Sequence, residues 1–132
     1  MDIPITLTMA ALAALINIWL AVRIGRVRGS EKVSVGDGGS DIVLRRMRAQ
    51  ANFVENTPFV LALIAALEIA GHGSIMLWSI GYIYMAARIA HGFGMDGGAL
   101  EKGRMVGTII TLLTLLLLAL YAAAVALGLT PH

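Results

Sequence analysis

Two long runs of this chain carry no charged residue: Ile3 to Val22 near the start, and Met105 to Pro131 near the end, the latter built around Leu112 to Leu118. A helix needs about 20 apolar residues to cross the hydrocarbon core of a bilayer, so each run is long enough. Ala49 to Leu67 also qualifies, with Glu55 as its one charge. Ile69 to Ala87 holds no charge beyond what His72 can carry. The runs are continuous, not alternating, which excludes a transmembrane β-barrel, and irregular backbone cannot face lipid. The expected fold is all-α: an integral membrane four-helix bundle forming a single domain over residues 1–132, with helices near 3–25, 42–70, 74–95 and 103–128. Composition agrees. The chain is 58% hydrophobic and 14% charged with a mean hydropathy of +0.83, whereas soluble domains run about 45–50% apolar and about 25% charged.

The formal charge of +2 hides a strong asymmetry. Arg23, Arg26, Arg28, Lys32, Arg45, Arg46 and Arg48 form one cluster, between the first and second spans. Arg88, Lys102 and Arg104 form another, between the third and fourth, and together these are all ten basic residues. Four spans put both clusters on one side. The other side holds Met1-Asp2, the turn around Glu68 and Gly71-His72-Gly73, and the end Pro131-His132, without a lysine or arginine. The positive-inside rule then predicts a multi-pass protein with both basic loops in the cytoplasm and both termini outside, in the inner membrane if the source is bacterial. The first span is not expected to be a cleaved signal peptide: Asp2 stands where a basic leader belongs, and the arginines follow the apolar run. No nucleic-acid partner is expected.

Between the spans, Gly29 to Asp41 reads as a polar linker and Gly92 to Gly103 as a glycine-rich turn. The second contains Gly92-Phe93-Gly94-Met95-Asp96-Gly97, a match to G-x-G-x-x-G. No strand precedes it, so it is not a dinucleotide fingerprint. Gly103 and Gly107 form a small-xxx-small pair that lets two helices approach closely.

The chemistry concentrates on three stripes. Charged groups inside a membrane cost about 2.5–3.5 kcal/mol each on insertion scales and mark functional sites by default. At 100° per residue, Arg45, Arg48, Asn52 and Glu55 share one face of the second helix, while Gln50 projects from another face, toward a different helix or subunit. The bland alternative is a structural ion pair between Glu55 and an arginine. Tyr84, Arg88, His91 and Met95 form the third helix's stripe, at the depth of Arg48 and Asn52. Snorkelling would account for Arg88 taken alone, and helix packing for His91. Arg104 opens the fourth helix, and Thr108 and Thr111 continue its face or bond back to helix carbonyls. Zero cysteines exclude a protein thiol, and the scattered histidines give no metal site. Several arginines, one carboxylate, an asparagine and a histidine suit a small polyanion that also carries a cation, because arginine forks pair with carboxylates and Glu55 can accept an ammonium. Glutathione, with two carboxylates, one α-ammonium and a thiol, fits that description.

Arg45-x-x-Arg48-Ala-Gln-x-Asn52-x-x-Glu55-x-x-Pro58 resembles the helix-two signature of the MAPEG family, the membrane-associated proteins of eicosanoid and glutathione metabolism. Arg88-x-x-His91 and the later Arg104 resemble its second signature. Length, span number and sidedness agree, so the resemblance covers nearly the whole chain. It implies a homotrimer of four-helix subunits with glutathione between neighbours as co-substrate. Arg28, Arg48, Gln50, Asn52, Glu55, Arg88 and His91 would then hold the tripeptide, and Arg104 would be the catalytic group against the sulfur. A free thiol has a pKa near ~8.5, and a guanidinium beside it favours the reactive thiolate. Asn56 and Met95 stand where eicosanoid-forming members carry tyrosine, and Met105 where a prostaglandin-forming relative has serine. These departures argue against eicosanoid substrates and toward the small bacterial members.

The resulting expectation is a glutathione S-transferase or peroxidase acting on a lipophilic electrophile or hydroperoxide that arrives through the membrane lipids. Two alternatives stand beside it. A small multidrug-type transporter also has four helices and a membrane glutamate, but is expected to carry it in the first helix, where Ile3 to Val22 has none. A MAPEG-like protein that binds glutathione or lipid without chemistry is the other.

Overall fold

The computed structural model describes residues 1–131; His132, grouped above with the arginine-free side, lies outside the described residues. The chain folds into α1 (Pro4–Glu31), α2 (Asp41–Leu67), α3 (Ile75–Gly94) and α4 (Lys102–Ala126). A single π turn at Glu68–His72 follows α2, and a 3-10 turn at Gly98–Leu100 precedes α4. The fold is all-helical, with no strand among the described residues.

Local chemistry sets the helix ends. Pro4 occupies the first turn of α1, where a missing N–H costs nothing. The residue before it offers no side-chain cap. The carboxylate of Glu68, from beyond the end of α2, does this instead, accepting from Ile5 N at 2.8 Å, Thr6 N at 2.7 Å and Thr6 Oγ1 at 2.7 Å. Ser40 and Ser74 cap α2 and α3 through their own hydroxyls. The expected end of the first helix, near residue 25, is too early: α1 continues to Glu31. Arginine is a good helix former, and isolated Gly25 and Gly29 do not interrupt the helix. It stops at Lys32, whose left-handed φ of 57° lets its N–H close on the Arg28 carbonyl. The third helix, expected near 74–95, agrees with α3, while the apolar run that begins at Ile69 starts before the helix does. Ile69 to His72 belong to the π turn, broken by Gly71 at φ 86°, and α3 begins at Ile75. Pro58 lies inside α2, which runs through it.

The most extensive packing is α3 on α4 and α1 on α2; α2–α4 and α1–α3 contacts close the bundle. Gly103 and Gly107 allow the close α3–α4 approach. A Cβ on Gly107 would lie 2.7 Å from the Ala87 carbonyl oxygen and collide with His91, and one on Gly103 would strike the Ala90 carbonyl. The core runs along the bundle axis through Ile5, Met9, Ile16, Phe53, Ile64 and Tyr84, while leucines of α4 such as Leu112, Leu116 and Leu120 face outward. An outward apolar surface on a helix is what lipid solvates.

Three segments, Pro4–Glu31, Asp41–His72 and Gly98–Ala126, are long and apolar enough to cross a membrane. At 20 residues α3 is also long enough, but its average hydropathy is lowered by Tyr82, Tyr84, Arg88 and His91. Three of those four are hidden from lipid: Tyr84, Arg88 and His91 are 0%, 1% and 3% exposed. An average over the helix cannot register that its polar groups point inward.

Candidate functional site

The α3 stripe forms the floor of the site. Arg88 reaches across the bundle, donating from Nη2 to Asn52 Oδ1 on α2 at 2.7 Å and from Nη1 to Thr111 Oγ1 on α4 at 2.8 Å. Its guanidinium lies 6.0 Å from the Phe53 ring centroid. One turn earlier, Tyr84 and Thr57 share a hydrogen bond of 2.9 Å in the buried interior. Snorkelling therefore does not describe Arg88, which lies inside the bundle with no carboxylate paired to it among the described residues. Its Nε and the Nδ1 of His91 are buried without a hydrogen-bond partner. Buried polar groups are satisfied in the great majority of cases, so two such atoms side by side mark this floor as unusual.

Above that floor, Arg48, Asn52, His91, Met95 and Arg104 line a cavity of about 370 Å³, open between α2 and α4. Arg88 is not part of its wall; it holds Asn52 from behind. Met105, Thr108 and Ile109 of α4 complete the wall. Arg104 is half-exposed, its one ion-pair partner among the described residues being Glu101 at 3.9 Å, a surface pair of little energetic weight. Thr108 bonds back to the Arg104 carbonyl at 2.9 Å, while Thr111 is turned inward to Arg88.

Arg28 and Gln50 do not join this group. They line a second cavity of about 440 Å³ between α1 and α2, with Met47, Ala51 and Val54. Gln50 donates to Asn17 Oδ1 at 3.2 Å. Arg28 is held by the Gly36 carbonyl at 3.2 Å and Met47 Sδ at 3.5 Å. Gln50 stands two positions beyond Arg48, about 200° around the helix, so α2 turns Gln50 to one side and Arg48 and Asn52 to the other. The structure gathers five residues in and behind one cavity and places two in another.

Arg48 and Glu55 are exposed on the protomer and form no ion pair among the described residues. The structural Glu55–arginine pair is thus absent among the described residues. Both residues lie on one face of α2, two turns apart. Arg45, expected on that stripe, pairs with Asp41 at 2.7 Å at the surface instead.

One cluster was not anticipated from the sequence. Asp96, inside the discounted glycine motif, receives Arg23 from α1 and Arg46 from α2, the latter at 3.2 Å. Arg23 also donates to the Gly92 carbonyl at 2.8 Å, and Arg46 to the Arg23 carbonyl at 3.0 Å. The available signal was that Asp96 is the one acid between Gly92 and Leu100, in a loop flanked by basic residues.

Comparison with known proteins agrees with this architecture. The model of the MAPEG family matches residues 6–124. Two relatives, each called inner membrane protein YecN, come from Escherichia coli strain K12 and an Escherichia coli O6:H1 strain. Each is 30% identical over 111 residues, covering 84% of this chain and 84% of its own length. With the family model spanning nearly all of the four-helix bundle, the chain belongs to the MAPEG family.

Proposed function

We propose that the protein is a glutathione-using enzyme of the inner membrane, a transferase or peroxidase that turns the glutathione thiolate on a lipophilic electrophile or hydroperoxide. The observation that carries this reading is the set of charges without a carboxylate or arginine partner in, beside and behind the Arg48–Arg104 cavity. Arg48 and Glu55 are exposed and unpaired on the same face of α2, and Arg88 is buried behind them without a carboxylate. Two cations and an anion at fixed positions complement a ligand with two carboxylates and an ammonium. In this reading Arg48 and Asn52 hold carboxylate groups, Glu55 accepts the ammonium, and His91 Nδ1 finds a partner.

Arg104 faces the same cavity from α4 with little to neutralise it. Its role is to stabilise the thiolate, since a neighbouring positive charge favours the ionised form. Arg28 and Gln50 complete the site from a second copy, whose α1–α2 side meets the α2–α4 side of the first. Repeated around a closed ring, this contact is heterologous and gives the homotrimer. The basic loops and the mouth of the site lie in the cytoplasm, with the termini outside. The relatives' names as inner membrane proteins support the location.

The test uses detergent-solubilised protein. On addition of glutathione, wild type shows thiolate absorbance and conjugates an aryl halide. Arg104→Ala keeps glutathione binding but loses the thiolate signal and most turnover, at least about 100-fold, the usual cost of removing one electrostatic stabiliser. Equal thiolate and turnover in the two proteins overturns the mechanism. Binding without turnover on any electrophile or hydroperoxide favours a non-catalytic glutathione-binding protein instead.

A further inference from the structure

A third cavity lies on the side of the bundle formed by α1 and α3, and no α2 residue lines it. It is an open groove of about 550 Å³, walled by Leu12, Ile16 and Trp19 of α1 and Met85, Ile89 and Phe93 of α3, with almost no polar surface. A second copy bringing the two half-sites of α2 together leaves this side uncovered. Both helices run toward the basic loops, and the α3 wall extends from Tyr82 to Phe93. That is about 16 Å of helix, half the ~30 Å hydrocarbon thickness. The groove is thus as long as one leaflet is deep, and it is the leaflet on the basic side.

At that end the groove abuts fixed positive charge. The Arg23 guanidinium lies 4.9 Å from the Trp19 ring centroid and 5.0 Å from that of Phe93, so the last two wall residues are also its aromatic partners. Arg23 and Arg46 share the single carboxylate of Asp96. Arg26 is seven residues beyond Trp19, on the same stripe of α1. It is exposed and forms no ion pair among the described residues. Three guanidiniums and one carboxylate leave an excess of two positive charges at the mouth of an apolar, leaflet-length groove.

We propose that this groove binds one acyl chain of an anionic phospholipid from the basic-side leaflet, its headgroup drawn to Arg26 and the exposed edge of Arg46. The apolar wall accounts for the chain and the charge excess for the headgroup. The occupant is neither a peptide nor a second protomer, because wall length and charge position match a single lipid. This site is independent of glutathione and of any chemistry at Arg104.

Trp19 reports on the groove directly. The protein has two tryptophans, so Trp78→Phe leaves Trp19 as the sole tryptophan, excited selectively over the tyrosines. In micelles titrated with brominated lipids, brominated phosphatidylglycerol is expected to quench Trp19 at about five-fold lower mole fraction than brominated phosphatidylcholine, the factor for one basic residue near the surface. Arg26→Gln, at an exposed position, removes one of the two excess charges and narrows the difference between the two lipids. Ala86→Phe, which fills the groove from its rim, removes the quenching by both. Equal quenching by the two lipids, or a preference unchanged in Arg26→Gln, overturns the proposal. Native mass spectrometry of wild type and Arg26→Gln gives the same comparison without the tryptophan substitution: wild type retains phosphatidylglycerol over phosphatidylcholine, and the variant does so less strongly. Equal retention in both proteins overturns it.

Discussion

A guanidinium that is 1% exposed inside a membrane bundle is tolerated only if its protons are accepted. Arg88 has two acceptors, Asn52 Oδ1 and Thr111 Oγ1, and its neighbours Tyr84 and Thr57 satisfy each other. Replacing Asn52 with leucine strands a buried cation, and the expected loss of stability is about 3 kcal/mol, read as a lower thermal unfolding midpoint in detergent. Thr108→Ala is the matched control. Its hydroxyl bonds only to the Arg104 carbonyl one turn back, so the change stays within about 0.5 kcal/mol. At this scale the sequence was partly legible. Helical spacing grouped Tyr84, Arg88 and His91 on one face, and all three are buried there. Spacing along one helix could not show that Arg88 would be answered by Asn52 and Thr111. Nor could it show that Glu55 would find no arginine on its own protomer, because those outcomes depend on how three helices are placed against one another.

Helix termini and helix contacts obey rules of their own. Glu68 caps the start of α1 from the far end of the molecule's second helix, satisfying two N–H groups that Pro4 and its preceding residue leave open. Glu68→Ala is expected to cost about 1–2 kcal/mol, the range for losing an N-cap, and to speed amide exchange first at Ile5 and Thr6. No local pattern announces this cap, since 62 and 63 residues separate the partners. The α3–α4 contact, by contrast, was readable in Gly103 and Gly107. Gly107→Ala drives a methyl group into the Ala87 carbonyl and His91. An expected cost of about 2–3 kcal/mol follows from overpacking, together with a distorted cavity, because His91 and Arg104 sit on the two helices being forced apart. An unfolding midpoint equal to wild type would contradict that close approach. The arginines that end the apolar run near residue 25 do not end α1, which continues to Glu31, because a helix has no reason to stop where the apolar run does.

At the scale of the whole molecule, fold class followed from apolar run length and sidedness, properties that survive any detail of packing. The division of the site did not. Arg28 and Gln50 line one cavity, while Arg48, Asn52, His91 and Arg104 belong to the other. One α2 helix thus lines two separate cavities, and in the proposed function a second copy joins them. The most direct measurement is glutathione binding to two variants, alone and co-expressed: a double substitution Arg28→Ala, Gln50→Ala on one side of α2, and Arg48→Ala, Asn52→Ala on the other. Each variant alone is expected to bind no glutathione. In randomly mixed closed rings about a quarter of the composite sites pair two intact halves, so co-expression should restore about a quarter of wild-type binding capacity. A mixture that binds no more than its separate components, or either variant binding like wild type, contradicts a glutathione site shared between copies.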